Sequence, residues 1–190
     1  MGKARPDITI RRRTDRQRVE AEIVALGGRV TAEENAEGKT VLSVSLRETT
    51  FAAADLARVR LLGDVRTLNL AHTPLTDAHL AALKQIKSLR ALDLTGAKVG
   101  DAALEAIKGL TDLEYLDLSW TRVTDDGLAH LKGLKRLGNL KLCGTDVTDA
   151  GAAHLKRLEG LTQLNLVNTR ISAAGERAIR AALPKLVLDR

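Results

Sequence analysis

A chain of 190 residues is long enough for one domain with a substantial core, and 44% hydrophobic with 28% charged residues is ordinary for a globular fold in water. The single cysteine, Cys143, excludes an intrachain disulfide and a multi-cysteine zinc site and suits the reducing cytoplasm, and no apolar run approaches the length of a membrane span. The net charge of +6 is uneven, with +4 of it in residues 1–20, and aromatics are only 2%, so the core has to be built from Leu, Val, Ile and Ala.

In chain order, residues 1–13 come first as a basic arm, expected to be disordered, with Lys3, Arg5, Arg11, Arg12 and Arg13 against Asp7. Arg5, Arg11, Arg12 and Arg13 are candidate contacts to nucleic acid, since a basic arm on a nearly neutral body is an electrostatic footprint of that kind. Thr14-Asp15-Arg16-Gln17 reads as a capping box that opens a helix. Val19, Ile23 and Leu26 line one face of it, and Gly27-Gly28 stops it. The stretches 30–32 and 41–46 flank a polar turn at Gly38 and predict a hairpin. Residues 14–40 are thereby expected to form an N-terminal cap.

From residue 41 the sequence repeats. Leu89-Leu92-Leu94, Leu113-Leu116-Leu118, Leu137-Leu140-Leu142 and Leu161-Leu164-Leu166 share one spacing, preceded by Val65-Leu68-Leu70 and Val41-Val44-Leu46. Six units thus begin at 41, 65, 89, 113, 137 and 161, every step being 24 residues. A half-unit, Leu183-Leu186-Leu188, closes the array early. Within a unit the fourth and sixth residues point to one face of a short strand and the third, fifth and seventh to the other. Apolar residues three apart then predict a helix, for example Leu104, Ile107 and Leu110. No unit can bury its apolar face alone, so the units must stack into a parallel sheet backed by a helical layer. The ninth residue is Thr49, Thr73, Ala97, Thr121, Thr145 or Thr169, and its hydroxyl is expected to bond backbone amides in the turn. Thr76-Asp77, Thr124-Asp125 and Thr148-Asp149 mark helix starts. Glu176, where earlier units carry Leu or Ala, reads as part of a capping repeat, and Pro184 ends the last helix.

The stretches Val123-Thr-Asp-Asp-Gly-Leu128 and Val147-Thr-Asp-Ala-Gly-Ala152, each followed by a His-Leu-Lys run, resemble cysteine-containing leucine-rich repeats, as found in F-box proteins and bacterial repeat proteins. The resemblance covers about residues 41–190. It implies an α/β, ribonuclease-inhibitor-like, right-handed solenoid or horseshoe, with a concave parallel sheet and convex helices. The ladder cysteine or asparagine of that family is Thr here.

No phosphate loop, zinc-helix motif or calcium loop is present, and no acid, base and nucleophile converge, so neither an enzyme nor a cofactor is expected. Cys143 has no activating neighbour in sequence. The column Arg60, Lys84, Lys108, Lys132, Lys156 and Arg180 sits near helix ends, where it complements the helix dipole. The concave face is the expected binding surface. Its fifth-position row contains Asn69, Asp93, Asp117, Lys141 and Asn165, and its third-position row contains Tyr115 and Asn139. The lone Tyr115 and lone Trp120 fall in the central unit, and both residue types favour interface cores. Asp93 and Asp117, on adjacent strands, with Tyr115 and Trp120 beside them, are expected to receive a partner's Arg or Lys, the competing expectation being that Lys141, next in the row, neutralises Asp117. The partner is an unidentified protein or a second copy of the chain. Nucleic acid is the alternative, and no membrane is expected.

Overall fold

The computed structural model describes residues 8–51 and 53–190. Among them, eight strands form one sheet whose spatial order is the chain order. Helix α1 (Ile8–Ala25) leads into β1 (Arg29–Glu34) and β2 (Thr40–Ser45), an antiparallel hairpin. All later pairings are parallel. They involve β3 (Val65–Asn69), β4 (Ala91–Asp93), β5 (Tyr115–Asp117), β6 (Asn139–Lys141), β7 (Gln163–Asn165) and β8 (Val187–Asp189). The crossovers are short helices: α2 (Ala53–Arg58), α3 (Asp77–Leu80), α4 (Asp101–Ile107), α5 (Asp125–Leu128), α6 (Asp149–Leu155) and α7 (Ala173–Ala182). Three of them, α2, α3 and α5, tighten into a 3-10 turn at their C-terminal end.

Residues one repeat apart pair across the sheet, as in Ala91↔Tyr115↔Asn139↔Gln163. The fourth- and sixth-position residues, all leucine except Val44, are buried in every unit and meet the helical leucines in one continuous core. The strands are only three residues long in β4 to β8 because the unit turns as soon as its sixth residue is buried.

The helix start expected at Thr14 lies inside α1, which begins at Ile8. Arginine is a good helix former, and extending a helix costs far less than nucleating one, so the capping box does not fix the boundary. Residues 1–7 of the expected arm, Arg5 among them, lie outside the described residues. Val19 and Ile23 are buried against the first repeat, and Gly27 at φ +84° ends the helix. The half-unit also differs from expectation. Leu188 pairs with Leu164, one full repeat later, and so occupies the fourth position rather than the sixth. A shift of two residues leaves Leu186 and Leu188 on the buried face, because the strand period is two.

Two ladders recur along the array, the first acting within each unit and the second joining one unit to the next. The ninth-position hydroxyls of Thr49, Thr73, Thr121, Thr145 and Thr169 donate to the carbonyl three residues back, at 2.6–2.8 Å, rather than bonding amides as expected. The strand's exit leaves that carbonyl buried, and the hydroxyl satisfies it, at Thr49, Thr145 and Thr169 alongside the residue's own backbone N–H. A second ladder runs along the helix starts. Asp101 accepts from Thr124 N (2.8 Å) and Oγ1 (2.7 Å), Asp125 accepts from Thr148 N (2.8 Å) and Oγ1 (2.6 Å), and Asp149 accepts from Ser172 N (2.7 Å) and Oγ (2.6 Å). Asp77 reaches only Gly100 N, at 2.7 Å, because glycine has no hydroxyl.

Candidate functional site

The open face of the sheet is formed by third- and fifth-position side chains, and its C-terminal rim by the eighth to tenth residues of each unit. The fifth-position row has a job in the fold. Asn69, Asp93, Asp117 and Asn165 each turn a side-chain oxygen onto the amide two residues on, those of Ala71, Thr95, Ser119 and Val167, at 2.9–3.0 Å. These Asx turns end the strands. Lys141 has no acceptor and interrupts the row.

The second oxygens of the two aspartates also find partners within the chain. Asp93 accepts from Asn69 Nδ2 at 3.1 Å, while its first oxygen also takes the Thr95 hydroxyl at 2.6 Å. Asp117, only 6% exposed, accepts from Tyr115 Oη at 3.0 Å and lies 3.6 Å from Lys141 Nζ. The Lys141 ammonium stands 5.3 Å from the centroid of the Tyr115 ring. The position expected to receive a partner's cation is therefore held by this chain's own Lys141. Burial pushes the Tyr115 phenol up, and the Asp117 charge pushes the same way against Lys141. Lys141 is itself held above its ordinary range, first by the Tyr115 oxygen and then by the Asp117 charge. Asn139 Nδ2 donates to Gln163 Oε1 on the next strand. Tyr115, Asp117, Lys141 and Asn139 thus come together on β5 and β6, with Asn69 and Asp93 joined beside them and Asn165 one strand further.

Trp120 is set apart from this cluster, on the rim. It is 58% exposed, at φ +57°. The eighth residue of every unit has the same left-handed backbone: Glu48, His72, Gly96, Trp120, Gly144 and Asn168, all between +55° and +67°. The turn demands this conformation, which costs a bulky residue about 1–2 kcal/mol relative to glycine. A Cβ built on Gly144 would lie 2.4 Å from Trp120 Cε3, and one on Gly96 would lie 2.6 Å from His72 Nδ1. Each ring therefore lies on the bare backbone of the next unit's glycine.

The sequence reading missed His72, Lys98 and Arg122 on this rim. The signal was present: a column of Gly, Asn, His and Glu at one turn position marks left-handed backbone, and Trp is the residue that does not belong there. Cys143 is partly exposed, and its carbonyl accepts from Trp120 N at 2.7 Å. Arg11, Arg12 and Arg13 fall on α1. Among the described residues, no helix is long and apolar enough to cross a membrane.

A family profile described as "Leucine Rich repeat" matches residues 85–108 and 109–131, which span the units that contain Asp93, Asp117, Tyr115 and Trp120. The fold is a leucine-rich-repeat solenoid. Solved structures agree. A leucine-rich-repeat protein of Leptospira interrogans is 26% identical, with a TM-score of 0.56 over 70% of this chain and 33% of its own. An internalin from Listeria monocytogenes is 19% identical, with a TM-score of 0.54 over 76% of this chain and 46% of its own. The leucine-rich-repeat ectodomain of the receptor kinase SOBIR1 from Arabidopsis thaliana is 17% identical, with a TM-score of 0.52 over 84% of this chain and 97% of its own. This solenoid spans a third of the first of these proteins and under half of the second. No curated protein matches the sequence. Leucine-rich-repeat solenoids generally mediate contacts between proteins, and they are typically not catalytic.

Proposed function

We propose that this solenoid is a non-catalytic interaction module that holds a protein partner on its concave sheet, centred on units three to five. The observation that carries the reading is Trp120. A large aromatic, 58% exposed, occupies a backbone conformation that favours glycine, in a column that uses glycine on either side of it. The turn itself is met without strain by Gly, and the ring's contact with the Gly144 backbone leaves more than half of the residue exposed, a surface open to a partner. Tyr115, Asp117, Lys141 and Asn139 supply a flat polar floor next to it. Their internal bonds hold the floor rigid before a partner arrives, which lowers the ordering cost of binding. Eight strands about 4.8 Å apart give an arc of about 34 Å, enough for a standard interface of about 800 Å² per partner. The finer resemblance to cysteine-containing repeats rests on the Thr-Asp helix starts and the 24-residue step.

The test is affinity capture from the cell of origin with the parent chain and with the double variant Asn139→Arg, Gln163→Arg. Both positions are on the open face, and neither touches the core. The expected result is a specific protein recovered by the parent and lost from the variant. Equal recovery by both, alongside loss on a helix-face variant such as Lys132→Glu, would move the interface to the convex side and overturn the reading.

A further inference from the structure

The chemistry of the rim around Trp120 narrows the partner. His72 and Trp120 lie two units apart in the same column, so their rings are spaced by two strand separations, about 10 Å. Two residues beyond Gly96 and Trp120 stand Lys98 and Arg122, both exposed. Their turn segments run side by side, with Arg122 N donating to Val99 O at 2.8 Å. Neither side chain has an ion-pair or hydrogen-bond partner among the described residues. The acids of the same rim do: Asp146 is paired with Arg170 at 2.7 Å and Glu48 with Arg47 at 3.0 Å. The acids of the adjoining floor, Asp93 and Asp117, are likewise engaged by Asn69, Thr95, Tyr115 and Lys141. What the rim offers outward is two uncompensated cations beside one exposed indole and one imidazole.

We propose that this rim, His72, Lys98, Trp120 and Arg122, binds an extended acidic protein segment that lays an apolar side chain on the Trp120 ring and sets carboxylates against Lys98 and Arg122. The proposal rests on the interaction-module reading and specifies its partner. Two free cations fit a pair of carboxylates. They are few for a nucleic acid, whose affinity comes from neutralising many phosphates. The chain beyond residue 20 carries only +2 of the net charge, which also argues against a polyanion groove.

The experiment selects random dodecapeptides displayed on phage against the intact chain, then measures the affinity of the selected peptides by titration calorimetry and, in chains that keep it, their effect on the emission of Trp120, the only tryptophan. Two variants follow. Trp120→Gly keeps the turn, since Gly96 and Gly144 hold the same backbone conformation in the same column. Lys98→Glu with Arg122→Glu reverses the free charge without touching the core. The expected result is a consensus of Asp and Glu around one apolar residue, a blue shift of the emission, and a loss of about tenfold or more in affinity with either variant. A basic or neutral consensus overturns the proposal, as does no enrichment, or tighter Trp120-dependent binding of oligo-dT than of any peptide. A consensus that ignores both variants but is lost on Asn139→Arg, Gln163→Arg overturns the rim proposal alone and leaves the interaction-module reading standing.

Discussion

Single side chains in this solenoid carry more than one duty, and the substitutions that separate those duties are specific. Thr121 satisfies the buried Leu118 carbonyl, so Thr121→Ala should cost about 1 kcal/mol, read as a lower urea midpoint at unchanged slope. Ala97 holds the same position with the backbone bond Ala97 N to Leu94 O (3.0 Å) and no hydroxyl, and nothing in the structure explains its use there. Tyr115 gives a pH signature. Its phenol and the Lys141 ammonium are both held above their free values, so each keeps its proton longer in the folded chain than in the unfolded one. The stability they contribute is complete below about pH 10 and is lost as the pH rises beyond it. A spectrophotometric titration of the single tyrosine should place its ionisation above that of free tyrosine, and higher again in Lys141→Met. Ionisation at the free value would show that the Tyr115–Asp117–Lys141 cluster does not form in solution.

The elements were legible where the argument depended on spacing alone. The 24-residue step fixed every parallel pairing from β3 to β7, because a two-residue strand period leaves one register that buries both leucines, whereas β2 slips by one residue at Leu42, which pairs with Val65. What joins one helix to the next was not legible. The sequence marks Asp77, Asp101, Asp125 and Asp149 as first-turn acids, but spacing cannot tell that each reaches across to the next unit's helix start. Glycines give the clue in hindsight. Where the acceptor bonds a hydroxyl residue, at Thr124, Thr148 or Ser172, the residue three further on is Gly127, Gly151 or Gly175, and where it meets Gly100 that residue is Ala103. A Cβ on Gly127 would lie 2.3 Å from Asp101 Oδ1, so the carboxylate fills the glycine's space. A double-mutant cycle tests this coupling. Asp101→Ala should cost about 1–3 kcal/mol, since it leaves two donors of Thr124 unpaired. Gly127→Ala should cost a similar amount alone. In the Asp101→Ala background it should cost far less, and helix propensity favours alanine by about 1 kcal/mol once the clash is gone. Additive effects would show that the two residues do not share that space.

At the scale of the molecule, each unit touches only its neighbours, so the ends decide whether the array is one cooperative body. The candidate site lies in the middle of that body, and the sequence showed the residues of its floor and Trp120 but neither the rest of the rim nor the chemistry. Fifth-position acids look like bait for a partner's cation until the partners of both oxygens are traced, and a turn residue's backbone sign cannot be read from one unit. The N-terminal end is closed by α1 and the hairpin. Val19 and Ile23 are buried on the helix, β1 pairs with β2 along six residues, and the Arg58 guanidinium of the first crossover meets Glu22 of α1 at 3.0 Å. Beneath this cap lie Leu42, Val44, Leu56 and Val59, all at most 1% exposed. Removing residues 1–40 bares that apolar face and opens an unpaired parallel edge at β2, the arrangement that invites edge-to-edge association. The truncated chain is expected to lose cooperative thermal unfolding by circular dichroism and to aggregate by light scattering, whereas removing residues 1–7 alone should change neither. Since neighbouring repeats are coupled through the parallel strand pairings and the Asp ladder, the loss should reach units far from the cut. The Trp120 emission, three units away from β2, reports on that distance: it should shift in the truncated chain as the central rim loses its order. A truncated chain that stays monomeric, with the parent's emission and a sharp transition, would show that the central units hold together without the cap.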